Sequence, residues 1–409
     1  MKLEEVDVLV IGAGPSGSVS SAYLNLQGIN VKVVEKTKFP RPVIGESLIP
    51  RVMNNLDEVG FIPVIEKAGF EKKLSSRFLR NGVDCTFFFD NKFGEGWDWT
   101  WQVPRADFDH ILIKEVERRG VDVEFETEVT DIQFNGSESI TTVRQKDGTE
   151  KQIKAKFVID SSGYGRVLPK LMDMDAPSLV TGNSSIFVHT KDINKPEGKE
   201  GTQITFEVLE QTVWFWVIPF SNGTTSIGVV GPTEYIEGLS ETQDSEEAIR
   251  KVIQLSDHFR DRFINNDFLF KPVMIRNYSC SVSNQCGPGF ALTGNSSGFL
   301  DPVFSSGVSI ATTSGLLAAK LATRELNGEK IDWQTEYTDF INGGIEVFAT
   351  YVKEWYNGNL QKLFFHPEEN PDVKRKICAV LAGYVWNKEN PFVTKHHNII
   401  KNLAYLIDN

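Results

Sequence analysis

Cysteine is scarce: there are four in 409 residues, at positions 85, 280, 286 and 378, and no two are spaced as C-x-x-C. This excludes zinc ribbons, dithiol redox motifs and a disulfide framework, and leaves reduced thiols acting as small apolar fillers. Long apolar runs are missing as well. No window reaches the ~18 uninterrupted apolar residues of a membrane span, and the opening Met1-Lys2-Leu3-Glu4-Glu5 lacks the apolar stretch of a secretion signal. Positive charge is outweighed, with 43 Lys and Arg against 55 Asp and Glu and a net charge of −12. An acidic chain offers no basic face to a phosphate backbone, so nucleic acid is not an expected partner. There is no internal repeat, and none of the six histidines falls within an assignable motif. No metal site is expected. What remains is a globular chain of two or three structural units, expected in the cytoplasm.

The run from Val6 to Ile11 has the character of a buried parallel strand. A glycine turn follows, then a helical stretch from about Ser16 to Leu26, then a second apolar run, Val31 to Val34. The turn reads Gly12-Ala13-Gly14-Pro15-Ser16-Gly17, a G-x-G-x-x-G between strand and helix, which is the context that makes the motif informative. Gly12 permits the tight turn, Gly14 lets the backbone approach a pyrophosphate, and Gly17 allows helix and strand to pack closely. The helix start turns free N–H groups and a positive dipole end toward the phosphates. Glu35 follows Gly12 by 23 residues, at the end of the second strand, where a carboxylate accepts a ribose hydroxyl.

Further along, alternating aromatics at 84–104 predict antiparallel sheet, with Trp97, Trp99 and Trp101 on one strand face. An amphipathic helix is expected over 105–119, and strands near 121–134, 139–159, 202–208, 213–219 and 224–231. A polar stretch at 170–200 marks a crossing between units. Helices are expected near 245–260, at 308–326 and through most of the chain from 331. The fold class is therefore α/β: a Rossmann-type dinucleotide-binding domain from 1–83, 102–170 and 281–330, an antiparallel-sheet substrate domain from 84–101 and 171–280, and a helical C-terminal region, 331–409.

Three later segments separate FAD from NAD. Val158-Ile159-Asp160-Ser161-Ser162-Gly163 is a strand running into a small-residue turn, Gly287 to Asn295 is another, and Arg105 opens the helix RADFD. Together they resemble the large FAD-dependent monooxygenase class, where such segments return to one cofactor. In that class the second fingerprint ends Gly-Asp, the carboxylate binding ribityl hydroxyls; here the position is Asn295, an acceptor without charge. No second strand–G-x-G-x-x-G–helix unit is present, so electrons are expected from transient nicotinamide contact or from a separate flavin reductase, the latter being the expected partner.

Four segments point more narrowly. Phe39-Pro40-Arg41 with Ile44-Gly45-Glu46-Ser47-Leu48-Ile49-Pro50 resembles the FPR…IGESL-P element of flavin-dependent halogenases. Gly69-Phe70-Glu71-Lys72-Lys73 resembles their GF-x-x-K element, Trp214 to Pro219 their W-x-W-x-I-P, and Asp301 to Val308 their DP-x-FSSGV loop. The resemblance covers about residues 5–325. It implies that Lys73 is the active-site lysine, that Ser306 and Gly307 bind halide, and that Trp214, Trp216 and Phe304 line a substrate pocket. It also implies that Lys36, Arg41, Gly45, Glu46, Ser47, Arg105, Val129, Asp160, Gly163, Asn295, Pro302, Gly307 and Val308 lie along FAD beside Gly12–Gly17 and Glu35. Phe304 stands where tryptophan-type relatives carry glutamate, which fits phenol and pyrrole halogenases, including those acting on groups tethered to an acyl carrier protein. Two other readings share the fold, a geranylgeranyl-reductase-like reductase or monooxygenase and a non-catalytic flavin-binding protein.

Overall fold

Four parallel strands end at one level. In the computed structural model, which describes residues 3–178, 182–242 and 244–408, Ile11 lies opposite Val34 on one side and Asp160 on the other, and Asp160 lies opposite Leu292. These are the last residues of strands Leu3–Ile11, Val31–Val34, Glu150–Asp160 and Phe290–Leu292, within an eight-stranded sheet. Each strand then runs into a turn of small or polar residues, at Gly12, Glu35, Ser161 and Thr293. In an open parallel sheet ligands bind along this carboxyl edge, because helix starts and free amides gather there. Helix Pro15–Leu26 covers one face with Arg105–Arg118 and Gly307–Leu326, and Thr127–Asn135 and Glu138–Gln145 extend the sheet as a meander.

The second sheet has seven strands in the order Val273–Ile275, Asn183–Lys191, Thr224–Pro232, Val213–Pro219, Thr205–Glu210, Ser75–Arg80, Val83–Phe88. Its two faces are sorted by the two-residue period of the strand. Phe187, Phe206, Trp214, Trp216 and Phe78 belong to the large core shared with the first sheet. Ile186, Val188, Phe215, Val217, Ile227 and Val229 form a separate core under helix Ser245–Leu255.

Three expectations require correction. Ser75–Arg80, expected within the nucleotide-binding part, pairs with Val83–Phe88 and Thr205–Glu210, so the crossing into the second sheet falls before residue 75. The stretch 84–104 is not continuous sheet: Val83–Phe88 and Thr100–Gln102 are strands, but a 3₁₀ turn at Phe89–Asn91 and two glycines at positive φ, Gly94 (80°) and Gly96 (122°), break the chain between them. Trp97 and Trp99 therefore lie on a loop, and only Trp101 lies on a strand. Their alternation instead builds an edge-on ladder, with ring centroids 5.6 Å apart for Trp97–Trp99 and 4.9 Å for Trp99–Trp101. Finally, the polar stretch 170–200 contains Asn183–Lys191, an interior strand with partners on both sides. Its serines and threonine are buried, with Ser184 and Thr190 bonded through their hydroxyls, so polarity there does not mark a loop. The C-terminal region is helical at Phe340–Tyr356, Asn359–Phe364, Pro371–Leu381, Pro391–Thr394 and His396–Asp408. No helix among the described residues is long and apolar enough to cross a membrane.

Candidate active site

The first strand–helix turn has the geometry its glycines predict. Gly12 has φ +100°, and a Cβ built there would lie 2.5 Å from the carbonyl oxygen of Ser161. A Cβ on Gly17 would meet Gly12 O at 1.9 Å, so backbone approaches backbone. At Gly14 the nearest atom to such a Cβ is Nη2 of Arg41 at 3.9 Å, which leaves room for a ligand and sets a cation beside it. The Glu35 carboxylate accepts from the Ala13 N–H (3.0 Å) and from the backbone N–H and hydroxyl of Thr37 (2.9 and 2.6 Å). It is thus held at the strand end, 6% exposed and oriented toward the turn. Lys36 points outward and pairs with Glu128, while Val129 packs behind the sheet.

The later segments return to the same edge. A hydroxyl cluster joins them: Ser16 Oγ donates to Thr293 Oγ1 (2.8 Å), and Ser161 Oγ lies 2.7 Å from the same oxygen. Asn295 lies in the middle of the next turn, Gly294–Ser296, its carbonyl accepting from Arg166. Gly45, at φ +101°, lies against Val308 and Arg105, where a Cβ would be 3.9 Å from Val308 Cγ2 and 2.9 Å from Arg105 Nη1. The segment 44–47 and the loop 301–308 therefore meet. Ser305 takes a left-handed φ of +55°, and Ser306 and Gly307 open the 20-residue helix with no side chain capping its first amides.

Lys73 is inside, not on the surface. It is 1% exposed, its Nζ donating to Ser47 Oγ (2.7 Å) and to the Leu48 carbonyl (2.8 Å). Strand Glu71–Lys73 pairs with Thr100–Gln102, which also holds segment 46–48 through Leu48 N–H to Trp101 O and Val103 N–H to Glu46 O. Lys72, one residue earlier, points out and covers the Trp99 ring at 4.4 Å. Burial without a counter-charge brings the Lys73 ammonium down from 10.5 to about 7.

The sequence profile of the FAD binding domain family matches residues 5–265. Over 362 residues the chain is 30% identical to the tryptophan 2-halogenase of Chondromyces crocatus, spanning 87% of this chain and 68% of that one. It is a flavin-dependent halogenase by family. It is also 27% identical over 395 residues to the 1H-pyrrole-2-carbonyl-(peptidyl-carrier protein) brominase of Pseudoalteromonas luteoviolacea, covering 95% of this chain and 94% of the relative. A crystal structure of a flavoprotein/dehydrogenase from Cytophaga hutchinsonii superposes with a TM-score of 0.97 at 47% identity over 99% of both chains.

As a halogenase-family chain it binds FAD, and its residues fit that cofactor. The open side of Gly14, Arg41 beside it and the tethered Glu35 suit the ADP half, and Glu46 carries a buried Oε2 with no protein partner. Two of the expected cofactor residues are engaged internally. Arg105 forms a two-point pair with Asp109 (2.7 and 2.9 Å) and reaches the carbonyls of Ile44 and Gly45, so its main work is to fix that segment. Asp160 accepts from the N–H groups of Ser162 and Leu168, shaping the turn that carries Gly163, and burial raises its pKa. Trp214 and Trp216 are 2% and 4% exposed, with indole N–H groups donating to Tyr356 and Ser226, and Phe304 packs edge-on against Tyr351 and Trp355. All three are core residues. Pro302 starts the 3₁₀ turn before the helix.

Sequence reading missed His189, whose Nε2 is bonded to Glu46 Oε1 between the rings of Phe220 and Phe270. Its strand was hidden in the polar stretch. It also missed the donors around Asp301, which accepts from Tyr278, Tyr356 and Asn183.

The state of Lys73 has a measurable consequence for stability. Between about 7 and 10.5 the unfolded chain holds a proton that the buried amine has released. Stability therefore rises with pH across that window, by about 1.4 kcal/mol per pH unit from this group. Lys73→Met should remove that slope, read as the difference in denaturant midpoint between pH 7 and pH 9. Equal slopes in the two proteins would show that the amine stays charged inside the fold.

Proposed function

We propose that the chain halogenates an activated aromatic ring, a phenol or a pyrrole, free or tethered to a carrier protein, and that Lys73 carries the transfer. The supporting observation is the enclosed amine: buried, with a pKa near neutrality, and held on the segment that also contacts Arg105 and Val308. When bound and reduced, FAD supplies the two electrons with which oxygen and a halide give hypohalous acid and water. The first-turn amides of Ser306 and Gly307 would receive the halide, since a helix start favours an anion. The neutral Lys73 amine then either holds hypohalous acid by a hydrogen bond or exchanges with it. In the exchange an N–halogen bond forms, an N–H bond breaks and water leaves. Transfer to the ring forms the carbon–halogen bond while the ring proton returns to the nitrogen.

The brominase relative is named for a carrier-tethered pyrrole, which supports that substrate class, and Phe304 leaves no carboxylate before the Ser305–Ser306 pair to serve as a base. We assign the chain to the cytoplasm, with a separate reductase delivering reduced flavin. The test is to supply the FAD-loaded protein with a flavin reductase, NADH, bromide or chloride, and both a phenol and a carrier-tethered pyrrole. Halogenated product in the mass spectrum is expected, and its absence with both substrates under reoxidation of the flavin would refute the reading. NADPH alone should bleach the flavin slowly. Fast, saturable reduction by NADPH would favour a second reading, a reductase or dehydrogenase, which the flavoprotein/dehydrogenase at 47% identity supports.

A further inference from the structure

Asp301 is 1% exposed, and its two oxygens do different work. Oδ1 accepts from the Val303 N–H at 3.0 Å and so caps the Pro302–Phe304 turn, which leads through the left-handed Ser305 to Ser306 and Gly307. Oδ2 accepts from three donors on three elements: Tyr278 Oη (2.8 Å), Tyr356 Oη (2.9 Å) and Asn183 Nδ2 (3.3 Å). One of these donors also receives. The Tyr356 hydroxyl accepts from the indole N–H of Trp214 at 3.1 Å. Tyr356 is the last residue of helix Phe340–Tyr356, in the C-terminal region that lies outside every motif, and Trp214 is on the aromatic face of the seven-stranded sheet.

We propose that Tyr356 is a positioning residue: its hydroxyl couples the aromatic wall at Trp214 to Asp301, and through it sets the orientation of the Ser306–Gly307 amides. A buried carboxylate keeps its place only while its donors hold it, and it supplies the side-chain cap of a turn otherwise held by the packing of Val303 and Phe304. A shift of the wall, as when a ring enters beside Trp214, is therefore passed to the loop through two hydrogen bonds. The halide arm of this inference rests on the halogen-transfer reading; the coupling does not.

The experiment compares Tyr356→Phe, Trp214→Phe, the double variant and Tyr278→Phe as FAD-loaded proteins. Tyr278→Phe removes another hydroxyl from the same carboxylate; Tyr278 lies beside the Tyr356 hydroxyl but makes no direct bond to the Trp214 indole. Amide hydrogen exchange at 303–309 and the bromide concentration giving half-maximal product are measured for each. Tyr356→Phe should speed exchange in that segment and raise the half-saturating bromide roughly tenfold, the scale of one lost hydrogen bond to a charged group, with kcat at saturating bromide and FAD affinity retained. Tyr356→Phe and Trp214→Phe should be strongly non-additive, and Tyr278→Phe with Trp214→Phe much less so, because only Tyr356 bonds the indole directly. Unchanged exchange in Tyr356→Phe, or additivity with Trp214→Phe, overturns the coupling. Faster exchange in Tyr356→Phe supports it even if the wild-type protein shows no response to bromide, a result that would refute the halogen-transfer reading instead.

Discussion

Lys73→Ala should retain FAD and still consume reduced flavin with oxygen, while halogenated product falls by orders of magnitude. The amine lies on a short strand pair of its own and none of its bonds reaches the glycine turn or Glu35, so the grip on the ADP half should survive the loss of its bond to Ser47. Confining and aiming a diffusible electrophile is where an enclosed site lowers the barrier, and well-oriented reactants gain up to ~7–11 kcal/mol over the bimolecular reaction. Losing even part of that gain leaves slow, unselective halogenation in solution. Lys73→Arg should fail as well. A guanidinium stays charged, does not form a haloamine, and its planar fork does not fit where one nitrogen is held by Ser47 Oγ and Leu48 O. The measurement is product per flavin oxidised, by mass spectrometry beside oxygen uptake. Unchanged product from Lys73→Ala would remove the lysine from the chemistry.

Gly17→Ala and Gly14→Ala should fail for different reasons. The Gly17 methyl group would be placed 1.9 Å from the Gly12 carbonyl oxygen, backbone that has nowhere to move because Gly12 itself lies against Ser161. Overpacking of this kind costs about 1–3 kcal/mol where neighbours yield and more where they do not, so Gly17→Ala is expected insoluble or with a thermal midpoint many degrees lower. At Gly14 the methyl group meets nothing closer than Arg41 Nη2 at 3.9 Å. That protein should fold, with FAD affinity reduced roughly a hundredfold if the pyrophosphate uses that space. Apoprotein melting and flavin titration together separate the two. A Gly14→Ala variant that binds FAD normally would place the pyrophosphate elsewhere.

The parts legible in the sequence are those in which backbone geometry dictates residue type. A turn at φ +100° or a backbone contact at 1.9 Å leaves only glycine, so Gly12 and Gly17 announce themselves. Lys73 could be read from its neighbours' resemblance but not from its own chemistry, since Glu71-Lys72-Lys73 has the look of a solvated surface. Burial comes from the pairing with Thr100–Gln102, a long-range contact that no local pattern encodes. Asn183–Lys191 was invisible for a related reason: its Ser184 and Thr190 are satisfied by partners far along the chain. The three tryptophans misled in the other direction. Their two-residue spacing suggested a strand, but Gly94 and Gly96 bend the chain, and edge-on ring contacts keep the spacing without a ladder of backbone bonds. Tyr356 carries no signal at all, because its role arises only where three remote segments converge.

The order of strands in the first sheet also bears on how the chain is born. The strand Leu3–Ile11 is made first but lies between Val31–Val34 and Glu150–Asp160, and the next strand outward is Phe290–Leu292. A ribosome that has delivered the first hundred residues has released the glycine turn and Glu35 with both flanks of their strand pair exposed, since the flanking strands begin at 122 and 150. Thr293, which ties Ser16 to Ser161, arrives only after the whole second sheet has been synthesised. The nascent chain must therefore keep apolar strand edges apart for most of its synthesis, a condition that invites chaperone binding and penalises rapid translation. Fragments ending before residue 290 should be recovered aggregated and colourless, and permutants that move the first strand next to residue 150 should mature faster than the natural order.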